Sequence, residues 1–123
     1  MFISGLVSLD GQGELVGQSD ILAQTYRVLE NMKELLTSVG GQLSDVTKTT
    51  VYLTDFQNYA EMNKAYREFF PTELPARATI KVELLDPKFL VEIDAIAVSI
   101  RRYARAISTH GAISIARPIP GEA

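Results

Sequence analysis

Residues 89–98, FLVEIDAIAV, constrain the fold more than any other stretch of the chain. They alternate as a strand does, with Leu90, Glu92, Asp94, Ile96 and Val98 on one side and Val91, Ile93, Ala95 and Ala97 on the other. Both sides carry apolar area, so both need cover. Yet two carboxylates stand in the middle, and an isolated buried carboxylate is costly. The fold must therefore cover both faces of a sheet and answer the charges of Glu92 and Asp94.

The elements around this strand can be read from pattern. Residues 2–9 read as a strand interrupted by Gly5, and a glycine inside a strand marks a bulge or a close approach. The turn Asp10-Gly11-Gln12-Gly13 leads to an amphipathic helix over 19–39, with Leu22, Leu29, Met32, Leu36 and Val39 on one stripe. Ser19 is the expected cap, and Gly40-Gly41 ends the helix. Residues 46–54 are rich in β-branched side chains and predict a strand. A second helix over 58–69 groups Tyr59, Met62, Tyr66, Phe69 and Phe70, and Pro71 stops it. Strands follow at 77–83 and 89–99, and the short link between them predicts an antiparallel hairpin. The order strand, helix, strand, helix, strand, strand predicts an α+β domain with two helices on one face of a single sheet. The other face is left for self-association, or for loops or the chain end to cover.

Composition narrows the chemistry. The 123 residues suit one domain. The absence of cysteine removes disulfides and thiolate nucleophiles. His110 is the only histidine and lies near the chain end, which disfavours Ser-His-Asp catalysis and imidazole-ligated metal. No apolar run spans about 18 residues and no signal-peptide pattern opens the chain, so a cytoplasmic protein without membrane partners is expected. Residues 1–100 hold 8 Lys/Arg against 14 Asp/Glu, whereas residues 101–123 hold four Arg and one Glu. An acidic body binds a phosphate backbone poorly, so nucleic acid is not an expected partner. Residues 101–123 read as a basic, flexible extension of a domain at 1–100. Within it, 111–116 (GAISIA) alternates weakly, as an edge strand or as part of the tail.

Arg77, Thr79 and Lys81 share one side of their strand, and the hairpin reading puts that strand beside the one bearing Glu92. A guanidinium can grip a carboxylate through two parallel hydrogen bonds. A partly desolvated glutamate can hold and activate water. Together, without metal or nucleophile, they suit addition of water to an already electrophilic carbon. The same spacing also admits a plain Arg–Glu ion pair between strands or subunits.

The segments FISG, SDVTKTTVYLTDFQNYAEMNKAYREFF, PARATIKV and VEIDAIAV occur in this order, with the Arg of PAR fifteen residues before the Glu of VEIDA. From Phe2 to Ser99 the chain resembles the Rid family of enamine/imine deaminases, also called YjgF/YER057c/UK114. The resemblance implies a chorismate-mutase-like fold with a single mixed sheet, and a homotrimer with ligand clefts between subunits. It implies hydrolysis of 2-imino or 2-enamino acids, such as 2-aminoacrylate, 2-iminopropanoate and 2-iminobutanoate, to 2-keto acids and ammonia, with no cofactor or metal. Residue by residue, it casts Arg77 as the grip on the substrate carboxylate and Glu92 as the group that positions water. Gly5, Asn63 and Thr79 match ligand-side positions, Thr79 standing where the family often has Cys or Ser. Asp94 matches no catalytic position and is expected to be structural, as an intersubunit hydrogen-bond acceptor. Relatives carry a further strand and an aromatic side chain ahead of FISG, and Leu6 stands where Gln is frequent, so a site that is more open, differently selective or incompletely formed is expected. The alternative reading is a non-catalytic trimer that binds small carboxylates as a regulatory or chaperone-like module. RNA binding or cleavage is a third.

Overall fold

Among the described residues two helices lie on one face of a four-stranded mixed sheet. The structure, a computed structural model, describes residues 1–99. The basic extension, with residues 111–116 read either as an edge strand or as part of the tail, lies outside the described residues. The elements in chain order are β1 (Phe2–Leu6), α1 (Ile21–Ser38), β2 (Val46–Leu53), α2 (Tyr59–Phe69), β3 (Ala76–Lys81) and β4 (Val91–Ala97).

The sheet order is β1-β4-β2-β3, with β2 and β3 parallel and both neighbours of β4 antiparallel to it. This corrects the expected β3–β4 hairpin. β2, α2 and β3 form a crossover unit, which lays β3 parallel beside the strand that precedes the helix. Lys81 of β3 and Val91 of β4 both pair with Leu53, at the same end of β2. The intervening residues 82–90 step over that end, tied down by Val82 N–H donating to Leu53 O (2.9 Å) and Thr54 N–H donating to Leu90 O (3.3 Å). β4 is thus an interior strand, as its apolar content on both faces requires.

The core forms between the sheet and the helices. Val91, Ile93, Ala95 and Ala97 of β4, Val51 and Leu53 of β2 and Ile3 of β1 meet Val28, Leu29, Met32 and Leu36 of α1 and Met62, Tyr66 and Phe70 around α2. The α1 stripe is rotated from the expected one. Ile21, Gln24 and Thr25 are buried, whereas Val39 is exposed and Leu22 half-buried. Gln24 explains the shift. Its Nε2 donates to Gly17 O and Lys88 O, each at 3.0 Å, and its Oε1 accepts from Leu90 N–H at 2.9 Å. One fully satisfied amide thereby ties two loops together. Asp20, not Ser19, caps the helix, accepting from Ala23 N–H at 3.0 Å. Gly40, at φ 78°, supplies the left-handed residue that closes it.

The opposite sheet face presents Phe2, 86% exposed, with Ile80 and Ile96 among Thr50, Tyr52, Ala76, Ala78, Glu92 and Asp94. Asp94 accepts a hydrogen bond from the Tyr52 hydroxyl (2.7 Å) within the chain, which raises the pKa of Tyr52. That answers one of the two strand carboxylates with a neutral donor.

Candidate functional site

Arg77 pairs in register with buried Thr49, so its side chain turns towards α2 and not towards the open face. Helix α2 meets it with Tyr59, Asn63 and Tyr66, which share one helix side at four- and three-residue spacing. Nη1 donates to Asn63 Oδ1 at 2.8 Å and Nη2 donates to the Tyr59 hydroxyl at 3.0 Å. The guanidinium carbon lies 4.7 Å from the centre of the Tyr66 ring and 5.7 Å from that of Tyr59, within cation–π range. Tyr66 is held in turn by a buried 2.7 Å hydrogen bond between its hydroxyl and that of Thr49. The resulting cradle contains neutral acceptors and aromatic faces but no anion. Among the described residues no carboxylate lies within ion-pair distance of Arg77. Among the described residues two of its five N–H donors are used, which leaves three for a ligand. Beside it opens a cleft of about 250 Å³ lined by Asn63, Tyr66, Arg67, Leu74, Pro75 and Arg77.

Thr49 and Tyr66 form the floor of the cradle, and their bond can be tested. Tyr66→Phe leaves the buried Thr49 hydroxyl without its partner and is expected to cost about 1–3 kcal/mol of stability in urea unfolding. Burial, the largest influence, raises the Tyr66 pKa above 10.0, partly offset by the Thr49 hydrogen bond and the Arg77 charge. A raised folded-state pKa contributes stability that is full below pH 10 and is lost as pH rises through the folded value. The Phe variant should therefore lose less stability than the parent between pH 9 and pH 11. An equal loss in both would show that Tyr66 does not carry this dependence.

Glu92 sits elsewhere. It pairs in register with Tyr52 on the open face, opposite in direction to buried Val91 and Ile93. Its carboxylate lies against Gly5, where β1 shifts register against β4 between Ile3 and Leu6. A Cβ on Gly5 would come within 2.5 Å of Glu92 Oε2. The glycine therefore makes room for the glutamate. Gly5→Ala should keep the fold, because the atoms it meets are the far end of a movable side chain, but should displace the carboxylate. If Glu92 serves the reaction, kcat should drop at least tenfold with an unchanged circular dichroism spectrum. A variant as active as the parent would separate Glu92 placement from function.

The expectation that Arg77 and Glu92 share one region of sheet surface is corrected within a single chain. β2 separates their strands, and the two head groups point to opposite faces. Thr79 accompanies Arg77 on the helix side, half-buried, in register with Val51, but does not line the cleft. Asn63 contacts Arg77, whereas Gly5 contacts Glu92. The candidate residues thus form two separate groups.

Sequence reading missed Tyr59 and Tyr66 as partners of Arg77. A signal was present: Tyr59, Asn63 and Tyr66 make a mixed polar–aromatic stripe on a short helix. A second signal is the inversion of β3. Its smaller, more apolar side (Ala76, Ala78, Ile80) faces outward, and Arg77 and Thr79 face inward. Such a violation of binary pattern is expected at functional sites.

No helix among the described residues is long and apolar enough to cross a membrane. No group of three or more His, Cys, Asp or Glu among them could hold a metal ion.

Comparison with known proteins relates this geometry to others. The family profile described as Endoribonuclease L-PSP matches residues 1–99. The chain is 40% identical over 97 residues to 3-aminoacrylate deaminase RutC of Acinetobacter baylyi, covering 79% of this chain and 77% of that protein. It is 45% identical over 98 residues to a RutC family protein of Pyrococcus horikoshii, with coverage of 79% and 77%. Among solved structures it is similar to a member of the YjgF/YER057c/UK114 family from Mycobacterium tuberculosis. That match has a TM-score of 0.69 at 29% identity, covering 80% of this chain and 77% of that one.

Proposed function

We propose, from the premise that the chain belongs to the Rid (YjgF/YER057c/UK114) family, that it hydrolyses the C=N bond of reactive 2-imino acids, and their 2-enamino tautomers, to 2-keto acids and ammonia. The observation that carries this reading is Arg77: a guanidinium fixed by Asn63 and Tyr59, stacked on Tyr66, and without an anion among the described residues. Such a group is prepared for a small carboxylate. The similarity to a 3-aminoacrylate deaminase supports the same class of chemistry.

The complete site would form between subunits of a homotrimer, with Arg77 from one chain and Glu92 from its neighbour. Arg77 takes the substrate carboxylate through its remaining donors and holds C2 beside a water bound to Glu92. The water oxygen bonds to C2 of the protonated imine as the C=N π pair moves to nitrogen, and Glu92 accepts the water proton. The resulting carbinolamine receives that proton on nitrogen. The C–N bond then breaks, ammonia leaves, and loss of the hydroxyl proton completes the keto group. The substrate is already electrophilic, so positioning and one acid–base group suffice. Asn63 and Tyr59 keep the guanidinium in place. Gly5 gives the carboxylate its space, and Thr79 lies on the substrate side of β3.

A coupled assay tests this. A pyridoxal-dependent lyase releases 2-aminoacrylate, and pyruvate appearance is followed with and without the protein. Pyruvate should appear faster when the protein is present. An unchanged time course would end the proposal.

One observation favours a second reading. A single chain holds the carboxylate anchor without Glu92 beside it, which is all that a binder of small carboxylates needs. Binding of 2-oxobutanoate without any turnover would select that reading. The name of the matching family profile raises ribonuclease activity, but the 14 acidic against 8 basic residues in 1–100 oppose phosphate-backbone binding.

A further inference from the structure

The Arg77 cleft contains a second cation that the proposed reaction does not use. Arg67 lies one helical turn beyond Asn63 on α2 and lines the same cleft of about 250 Å³. None of the six lining residues is acidic. Among the described residues neither guanidinium has a carboxylate within ion-pair distance. Residues 1–100 contain only 8 Lys/Arg against 14 Asp/Glu, yet two of those cations border one small space that is free of acids. A cleft lined by charge of one sign concentrates ligands of the other. A single substrate carboxylate satisfies one guanidinium and leaves the second unanswered. The rest of the lining is Asn63 and Tyr66, already engaged with Arg77 and Thr49, and Leu74 and Pro75, which offer hydrocarbon and no side-chain donor. The cleft therefore suits a short apolar spacer with an anionic group at each end.

We propose that Arg67 is a specificity-determining residue that receives a distal carboxylate, so that the preferred substrates are 2-imino diacids. The assignment rests on the deaminase reading for the reaction but not for binding. The distal carboxylate takes no part in bond making, and the C=N hydrolysis is unchanged. Arg67 also sits in the last turn of α2, where a cation interacts favourably with the helix dipole. That role alone would affect stability and not ligand choice.

The experiment uses the full chain. Flavin-dependent amino-acid oxidases generate the imine of an acidic or of a neutral amino acid in situ, and keto-acid formation is followed. The ratio of kcat/KM for diacid over monoacid imine should be at least tenfold in the parent, and it should fall at least fivefold in Arg67→Gln. Arg67→Lys should recover part of it. Calorimetry with the unreactive products 2-oxoglutarate and 2-oxobutanoate provides a readout that is independent of turnover. The diacid should bind more tightly to the parent, and Arg67→Gln should remove the difference. A ratio near one in the parent, or a diacid advantage that Arg67→Gln leaves intact, overturns the assignment even if monoacid imines are hydrolysed. A binding advantage lost in Arg67→Gln, with neither imine hydrolysed, would instead keep Arg67 as the receiver of a distal carboxylate and end the deaminase reading, and with it the substrate preference.

Discussion

Arg77→Ala should lose at least about a hundredfold in kcat/KM for 2-aminoacrylate hydrolysis, because the substrate then has no fixed anchor for its carboxylate. The fold should persist. Arg77 lies on the edge strand β3, is half-buried, and forms no ion pair among the described residues, so its loss strands no buried charge. The groups it leaves behind, Asn63 Oδ1 and the exposed Tyr59 hydroxyl, can turn to water. Stability should change by no more than about 1 kcal/mol. Arg77→Lys separates charge from shape. It keeps the positive charge but cannot offer a planar fork, and its activity should fall between parent and Ala. Full activity in the Ala variant, with its spectrum intact, would remove the central residue from the proposal.

The second large effect concerns assembly. Within one chain Arg77 and Glu92 face opposite sides of the sheet, so a site that uses both must be shared. Glu92→Gln and Arg77→Ala should each be nearly inactive alone. Mixed and co-refolded, they should regain activity. In a randomly mixed cyclic assembly about a quarter of the sites pair one intact Arg77 with one intact Glu92. Recovery towards that fraction of parental activity, appearing only after subunit exchange, is the expected result. No recovery, under conditions in which native mass spectrometry shows mixed oligomers, would mean that the two residues do not serve a common site. The open face offers a surface for such assembly. Phe2, Ala76, Ala78 and Ile80 point outward from strands whose other side covers the core or the Arg77 cradle.

Much of this arrangement is local and could be read residue by residue. Each helix and strand falls close to its predicted span, because apolar spacing and turn chemistry act over a few residues. The alternation of β4 was legible for the same reason: Val91, Ile93, Ala95 and Ala97 share one side, and all four are buried. The resemblance carried by FISG, PARATIKV and VEIDAIAV pointed to the family, and the profile match over residues 1–99 agrees with it. Gly5 marked a bulge or a close approach, and both occur: β1 shifts register there, and Glu92 lies against it.

What lay beyond sequence reading is relational. Strand order depends on which edges meet in three dimensions, and a link at 82–90 that looks like a hairpin can equally step over the end of β2. The orientation of β3 was hidden because its more apolar side faces outward, against the usual pattern. α2 supplies a hydroxyl, an amide oxygen and a ring face that make the inward position good for a guanidinium. Alternation along one strand sets which residues share a side, but not which side meets the helices. That choice is made by packing across distant parts of the chain, and it is what places Arg77 and Glu92 on opposite faces.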